Sequence, residues 1–115
     1  MTEQVVRVEV PDEEIAGFCR DWGVTEMSLF GSALRDDFGP QSDIDVLLTF
    51  GSGVRPTLFD LVRMGEELTR IFGRRVDVVS RRGLEASRNP IRRKAILESA
   101  RIINKSRPHG EHPNA

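Results

Sequence analysis

The sequence predicts an α/β domain in which a small mixed β-sheet carries helices mainly on one face. Three observations predict it. Apolar residues recur at helical spacing in some segments and at strand spacing in others, in the order helix, strand, helical turn, strand, helix, strand, helix. Residues 43–50 form an acid-led apolar run whose two faces are both apolar beyond Asp45, as expected of a central strand. Gly23 and Gly73 stand where the two longest helical patterns end. At 115 residues the chain fits one domain, with residues 1–105 as its body and 106–115 (SRPHGEHPNA) as a flexible tail.

Taken in order, residues 5–10 (VVRVEV) partly alternate and read as a short edge strand. Pro11-Asp12 opens a helix with Glu13 and Glu14 in its first turn, where the helix dipole favours acids. Ile15, Phe18, Cys19 and Trp22 then form its apolar stripe. Cys19 is therefore expected to be a core thiol and Trp22 a packing residue. Residues 26–30 read as a strand ending at Gly31, and a helical turn follows over Ser32–Asp37. Residues 38–41 (FGPQ) carry turn chemistry ahead of the 43–50 strand. Thr57 and Asp60 have capping-box spacing, opening a helix to about Phe72 that is expected to bury Leu58, Leu61, Val62, Leu68 and Phe72. Residues 75–80 (RVDVVS) are a β-branched strand, and Asn89-Pro90 opens a last helix with Ile91, Ala95, Ile96 and Ala100 on its apolar side. Ile102-Ile103 reads as a short closing strand.

Composition narrows the classes of function. No apolar run approaches the roughly 20 residues of a membrane span, so a soluble protein without membrane partners is expected. A single Cys fits a reducing cytoplasm. The net charge of -1 hides an asymmetry. Residues 1–69 hold 5 Lys/Arg against 14 Asp/Glu, whereas residues 70–107 hold 12 against 3. The basic stretch is either a solvated surface or a face for an acidic partner, and charge alone does not choose. Its one aromatic, Phe72, reads as core, so no stacking platform for nucleic acid is evident. His109 and His112 belong to the tail and have no further ligand near them in sequence.

Asp is depleted in strands, yet Asp43 and Asp45 share one strand and Asp77 interrupts the next. Alternation puts Asp43 and Asp45 on one face. Two like charges so close repel unless a cation lies between them. Oxygen-only ligands of high charge density suit Mg²⁺ or Mn²⁺, which leave coordination positions for substrate phosphates. Gly31-Ser32 sits at a strand-to-helix corner where the backbone can approach a phosphate. Arg35, about one turn later, is placed to cover a phosphate or pair with an acid.

The stretch LFGSALRDDFGPQSDIDVLLTF (Leu29 to Phe50), followed by GRRVDVV, resembles the minimal nucleotidyltransferases of the DNA polymerase beta superfamily. The likeness runs from about Pro11 to Ile103. It implies a polymerase-beta-like nucleotidyltransferase fold in which Gly31 and Ser32 contact nucleotide phosphates and Arg35 and Ser42 join the nucleotide site. It also implies that Asp43 and Asp45 hold the divalent metals and that Asp77 completes the catalytic triad. Ala33 and Asp36 stand where many members have Arg and Gly. The implied activity is transfer of AMP from ATP, with Mg²⁺ or Mn²⁺, to a hydroxyl of a partner protein. The implied partner is a HEPN-domain toxin modified on tyrosine, this chain being its antitoxin. The chain itself has no Tyr, so self-modification on tyrosine is excluded. The alternatives are an antitoxin acting by binding alone and an enzyme adding nucleotides to an RNA end.

Overall fold

The computed structural model describes residues 9–31, 39 and 42–105. Helix α1 spans Asp12–Trp22 and ends at Gly23, whose φ of 73° is the left-handed conformation glycine adopts without strain. Strands β1 (Val24–Phe30) and β2 (Ile44–Phe50) follow. Helix α2 (Leu58–Phe72) opens on the predicted capping box, with Asp60 N–H donating to Thr57 Oγ1 at 3.1 Å and Thr57 N–H to Asp60 Oδ2 at 2.9 Å. Strand β3 (Val76–Ser80), helix α3 (Arg81–Glu85), helix α4 (Pro90–Ser99) and strand β4 (Arg101–Lys105) complete the chain.

The sheet order is β3-β2-β1-β4. Strand β1 pairs antiparallel with both β2 and β4, and β2 pairs parallel with β3. The sheet is therefore mixed and β2 is internal, as its two apolar faces require. Ile44, Val46 and Leu48 of β2, with Met27 and Leu29 of β1, pack under Ile15, Phe18 and Cys19 of α1 and Met64 and Leu68 of α2. The other face is thinner: Phe30 and Leu47 meet Leu84 of α3 and Ile96 of α4. The two long helices thus share one face, and the two short ones cover only part of the other.

Several expectations change. On α2, Leu58 and Val62 are 80% and 60% exposed, while Met64, absent from the expected core, is fully buried. At about 100° per residue, Val62 lies roughly 120–160° around the helix from Leu68 and Met64, whereas Leu58, only about 80° from Leu68, is the helix's first residue. On α4 only Ile96 is buried; Ile91 is 81% exposed and Ala95 is exposed. This helix lies over the thin second face, where Ile96 is its buried anchor and the partly buried Leu97 and the adjoining Ala100 pack beside it. Helix α3 was not expected; Ser80 caps it by accepting from Gly83 N–H at 3.0 Å. Strand β1 begins two residues earlier than the 26–30 run. The strand expected over 5–10 falls outside the described residues except for Glu9 and Val10, which lie in no element. The helical turn over 32–37 and the tail 106–115 also lie outside them.

Candidate active site

The order of the strands brings three chain segments to one end of the sheet: the end of β1, the start of β2 and the start of β3. Asp45 is opposite Phe30 on β1 and opposite Asp77 on β3. Residues in direct register across neighbouring strands share a face, about 4.8 Å apart. Asp45 and Asp77 therefore extend the face of Leu47 and Val79 beyond the part that α3 and α4 cover. Asp43 precedes β2 by one residue, and Ile44 N–H still donates there to Arg75 C=O at 3.0 Å. The extended run thus reaches back to Asp43, which shares the face of Asp45. Asp45 is half-buried, whereas Asp43 and Asp77 are exposed.

Gly31 completes this corner. Its φ of 71° is left-handed. A Cβ built on it would collide with Asp45 Oδ2. Glycine is needed here twice over, for the turn and for the close approach of backbone to carboxylate. Ser42 lies in the turn ahead of Asp43, where its N–H donates to Gly39 C=O at 3.0 Å and its Oγ accepts from Gly39 N–H at 3.1 Å. Ser32 and Arg35 lie outside the described residues.

Asp45 and Asp77 meet in register, and Asp43 stands two residues ahead of Asp45. Among the described residues no three His, Cys, Asp or Glu side chains stand close enough to hold a metal ion together. Asp77 Oδ1 lies 3.7 Å from Arg75 Nε, in a pair open to solvent on both sides and correspondingly weak. The donor set nevertheless fits Mg²⁺ or Mn²⁺ in chemistry, being all carboxylate oxygen on two adjacent strand ends, with a glycine leaving room beside one of them.

Sequence reasoning missed Arg74. From the two-residue link between Gly73 and β3, its Nη1 donates to Gly39 C=O at 2.9 Å and Ser42 C=O at 3.3 Å. The only signal was a run of two arginines directly before the acid-bearing strand. A cavity of about 560 Å³ opens at the opposite end of the parallel pair, lined by Thr49, Phe50, Val54, Leu61, Arg55 and Arg82 among others. Thr49 is four residues along β2 from Asp45, about 13 Å at strand rise. The cavity is therefore separate from the acids.

Comparison with known proteins shows the family. Residues 13–103 match the nucleotidyltransferase domain family, and the chain belongs to that family as a minimal member of the polymerase beta type. It is 38% identical over 78 residues to protein adenylyltransferase MJ0435 of Methanocaldococcus jannaschii, a provisional assignment, covering 68% of this chain and 77% of that one. Protein adenylyltransferase MntA of Thermococcus cleftensis is 34% identical over 65 residues, covering 56% of this chain and 64% of that one. A solved structure described, also provisionally, as a minimal nucleotidyltransferase superposes with a TM-score of 0.60 at 35% identity, over 77% of this chain and 85% of that chain. A toxin–antitoxin crystal structure with AMP-PNP shares the fold, with a TM-score of 0.65 at 16% identity over 85% of this chain and 76% of that chain. No helix among the described residues is long and apolar enough to cross a membrane.

Proposed function

We propose that this chain transfers AMP from ATP to a hydroxyl of a partner protein, a tyrosine of a HEPN-domain toxin, and acts as that toxin's antitoxin in the cytoplasm. The observation that carries the chemistry is the register of Asp45 with Asp77, with Gly31 against the Asp45 carboxylate. The acceptor rests on the names of relatives: two are protein adenylyltransferases, and a neighbour in fold is a toxin–antitoxin complex.

In this reading Asp43 and Asp45 hold Mg²⁺ or Mn²⁺, and Asp77 either joins them or accepts the proton of the attacking hydroxyl. A divalent cation held there would supply charge neutralisation of the triphosphate and acidify the attacking oxygen. Gly31, Ser32, Arg35 and Ser42 line the phosphate side. The acceptor oxygen forms a bond to the α-phosphorus, the bond from that phosphorus to the bridging oxygen breaks, and pyrophosphate leaves.

The test supplies ATP labelled at the α-phosphate and Mg²⁺ to the chain together with the toxin encoded beside it. Label on a toxin tyrosine, lost with Asp43→Asn, is the expected result. A toxin silenced without label assigns the chain to binding alone, and label on RNA assigns it to end addition. Binding alone has one observation in its favour. Leu58, Phe59 and Val62 stand together on the first turns of α2, each at least 60% exposed, and such a patch marks protein contact.

A further inference from the structure

We infer that Arg74 is a positioning residue for the metal-binding acids, setting the separation between the strand ends that carry Asp43 and Asp45 on one side and Asp77 on the other. The inference rests on the proposal that these acids hold a divalent cation.

The geometry is that of a staple. Gly39 and Ser42 are the two ends of the turn that delivers the chain to Asp43, closed by Ser42 N–H to Gly39 C=O and by Gly39 N–H to Ser42 Oγ. The carbonyls at the two ends of that turn, Gly39 C=O and Ser42 C=O, accept from the one Nη1 of Arg74. Arg74 stands three residues before Asp77, directly after Gly73, the C-cap of α2. One guanidinium thus ties the turn before the first acid to the backbone before the third. Next to it, Ile44 N–H to Arg75 C=O is the first backbone bond between the two segments.

Such a tie has work to do at this place. Strand β3 is an edge strand of five residues, and its start carries an acid beside the acid of β2. Like charges in register push the two strand ends apart. A cation binds tightly only if its ligands are held at the right spacing before it arrives, and groups that orient ligands are worth about 10- to 100-fold in metal affinity. Arg74 is half-buried and bonded to backbone on the partner segment. Its planar fork loses less freedom per bond than a lysine would.

Mn²⁺ alone is the probe, followed by its electron paramagnetic resonance signal, with wild-type chain, Arg74→Met, Arg74→Lys and Asp45→Asn. The expected result is about tenfold weaker Mn²⁺ binding by Arg74→Met, with partial recovery in Arg74→Lys. In the transfer assay the half-saturating Mg²⁺ concentration of Arg74→Met should rise by a similar factor, while its rate at saturating Mg²⁺ stays within about threefold of wild type. A stability loss on its own would change neither ratio in this pattern. Unchanged Mn²⁺ affinity in a folded Arg74→Met overturns the inference. If Arg74→Met does not fold, Arg74→Lys decides, and wild-type affinity in that variant overturns it. Wild-type chain that binds no Mn²⁺, or Asp45→Asn that binds it unchanged, overturns the metal reading and this inference with it.

Discussion

Gly31 shows how one missing side chain shapes the corner. Its left-handed φ alone makes alanine unfavourable by about 1 kcal/mol, but the greater effect is the collision of a new Cβ with the Asp45 carboxylate. Gly31→Ala should therefore abolish nucleotidyl transfer while lowering stability only modestly. Gly53→Ala is the control, because Gly53 has a φ of 85° and nothing within 4 Å of its would-be Cβ. It should lose about 1 kcal/mol and keep full activity. Thermal melts beside the labelled-ATP assay check both variants, and equal activity loss in the two would remove the special role of the Asp45 contact. Cys19 is the second informative residue. It is 1% exposed, and burial pushes its thiol up from 9.0 to about 11. The folded state keeps the proton longer than the unfolded chain, so this contribution is fully present below pH 9 and is lost as pH rises through about 11. Its size is on the order of 3 kcal/mol. The chain has no Tyr, which removes one competing titration from that window. Melts at steps between pH 8 and 11 should show wild type losing stability on a steeper slope than Cys19→Ala; parallel slopes would contradict the assignment.

At the scale of the element, helix α2 separates packing from patterning. Met64 is buried against the sheet and Phe59 is 83% exposed. Met64→Ala should lower stability by 2–5 kcal/mol, roughly the range for a large core residue, and Phe59→Ala by less than about 0.5 kcal/mol. Thr57→Ala, which removes one half of the capping box, should fall between them at about 1 kcal/mol. Urea unfolding of the three variants reads this order directly. The contrast also shows what the sequence could convey. Caps and stops were legible at Thr57, Asn89, Gly23 and Gly73, because their chemistry is local. The internal place of β2 was legible because both its faces are apolar. Which way α2 rolls on the sheet was not, since Leu58, Leu61 and Val62 make an apolar run on their own and only the tertiary contact selects Leu61. At the site, Asp43, Asp45 and Asp77 were legible as acids misplaced in strands, and Gly31 as the glycine ending one. Arg74 was not, because its partners are two backbone carbonyls more than thirty residues away in sequence.

At the scale of the whole molecule, the charge asymmetry along the chain is interleaved within the sheet, while the helices of the acidic segment, α1 and α2, share one face and those of the basic segment, α3 and α4, lie on the other. The acidic segment supplies β1 and β2 in the middle of the sheet, and the basic segment supplies β3 and β4 at its two edges. Opposite charges are thereby interleaved, as in the approach of Arg81 Nη1 to Glu26 Oε2 at 4.0 Å, which joins α3 to β1. A half-buried pair at this distance contributes on the order of 1 kcal/mol, but interleaving makes many longer-range attractions add in the same direction. Salt should weaken them, because the screening length falls from about 30 Å at 0.01 M to about 8 Å at 0.15 M. The predicted outcome is a melting temperature that drops by a few degrees between 10 and 150 mM NaCl, at roughly 4–8 °C per kcal/mol for a domain of this size. Arg81→Gln, which removes one cross-segment charge, should lower the low-salt value and flatten the dependence. A melting temperature that stays level or rises over that range would mean that the two segments do not stabilise each other, and would leave the basic edges free to serve an acidic partner instead.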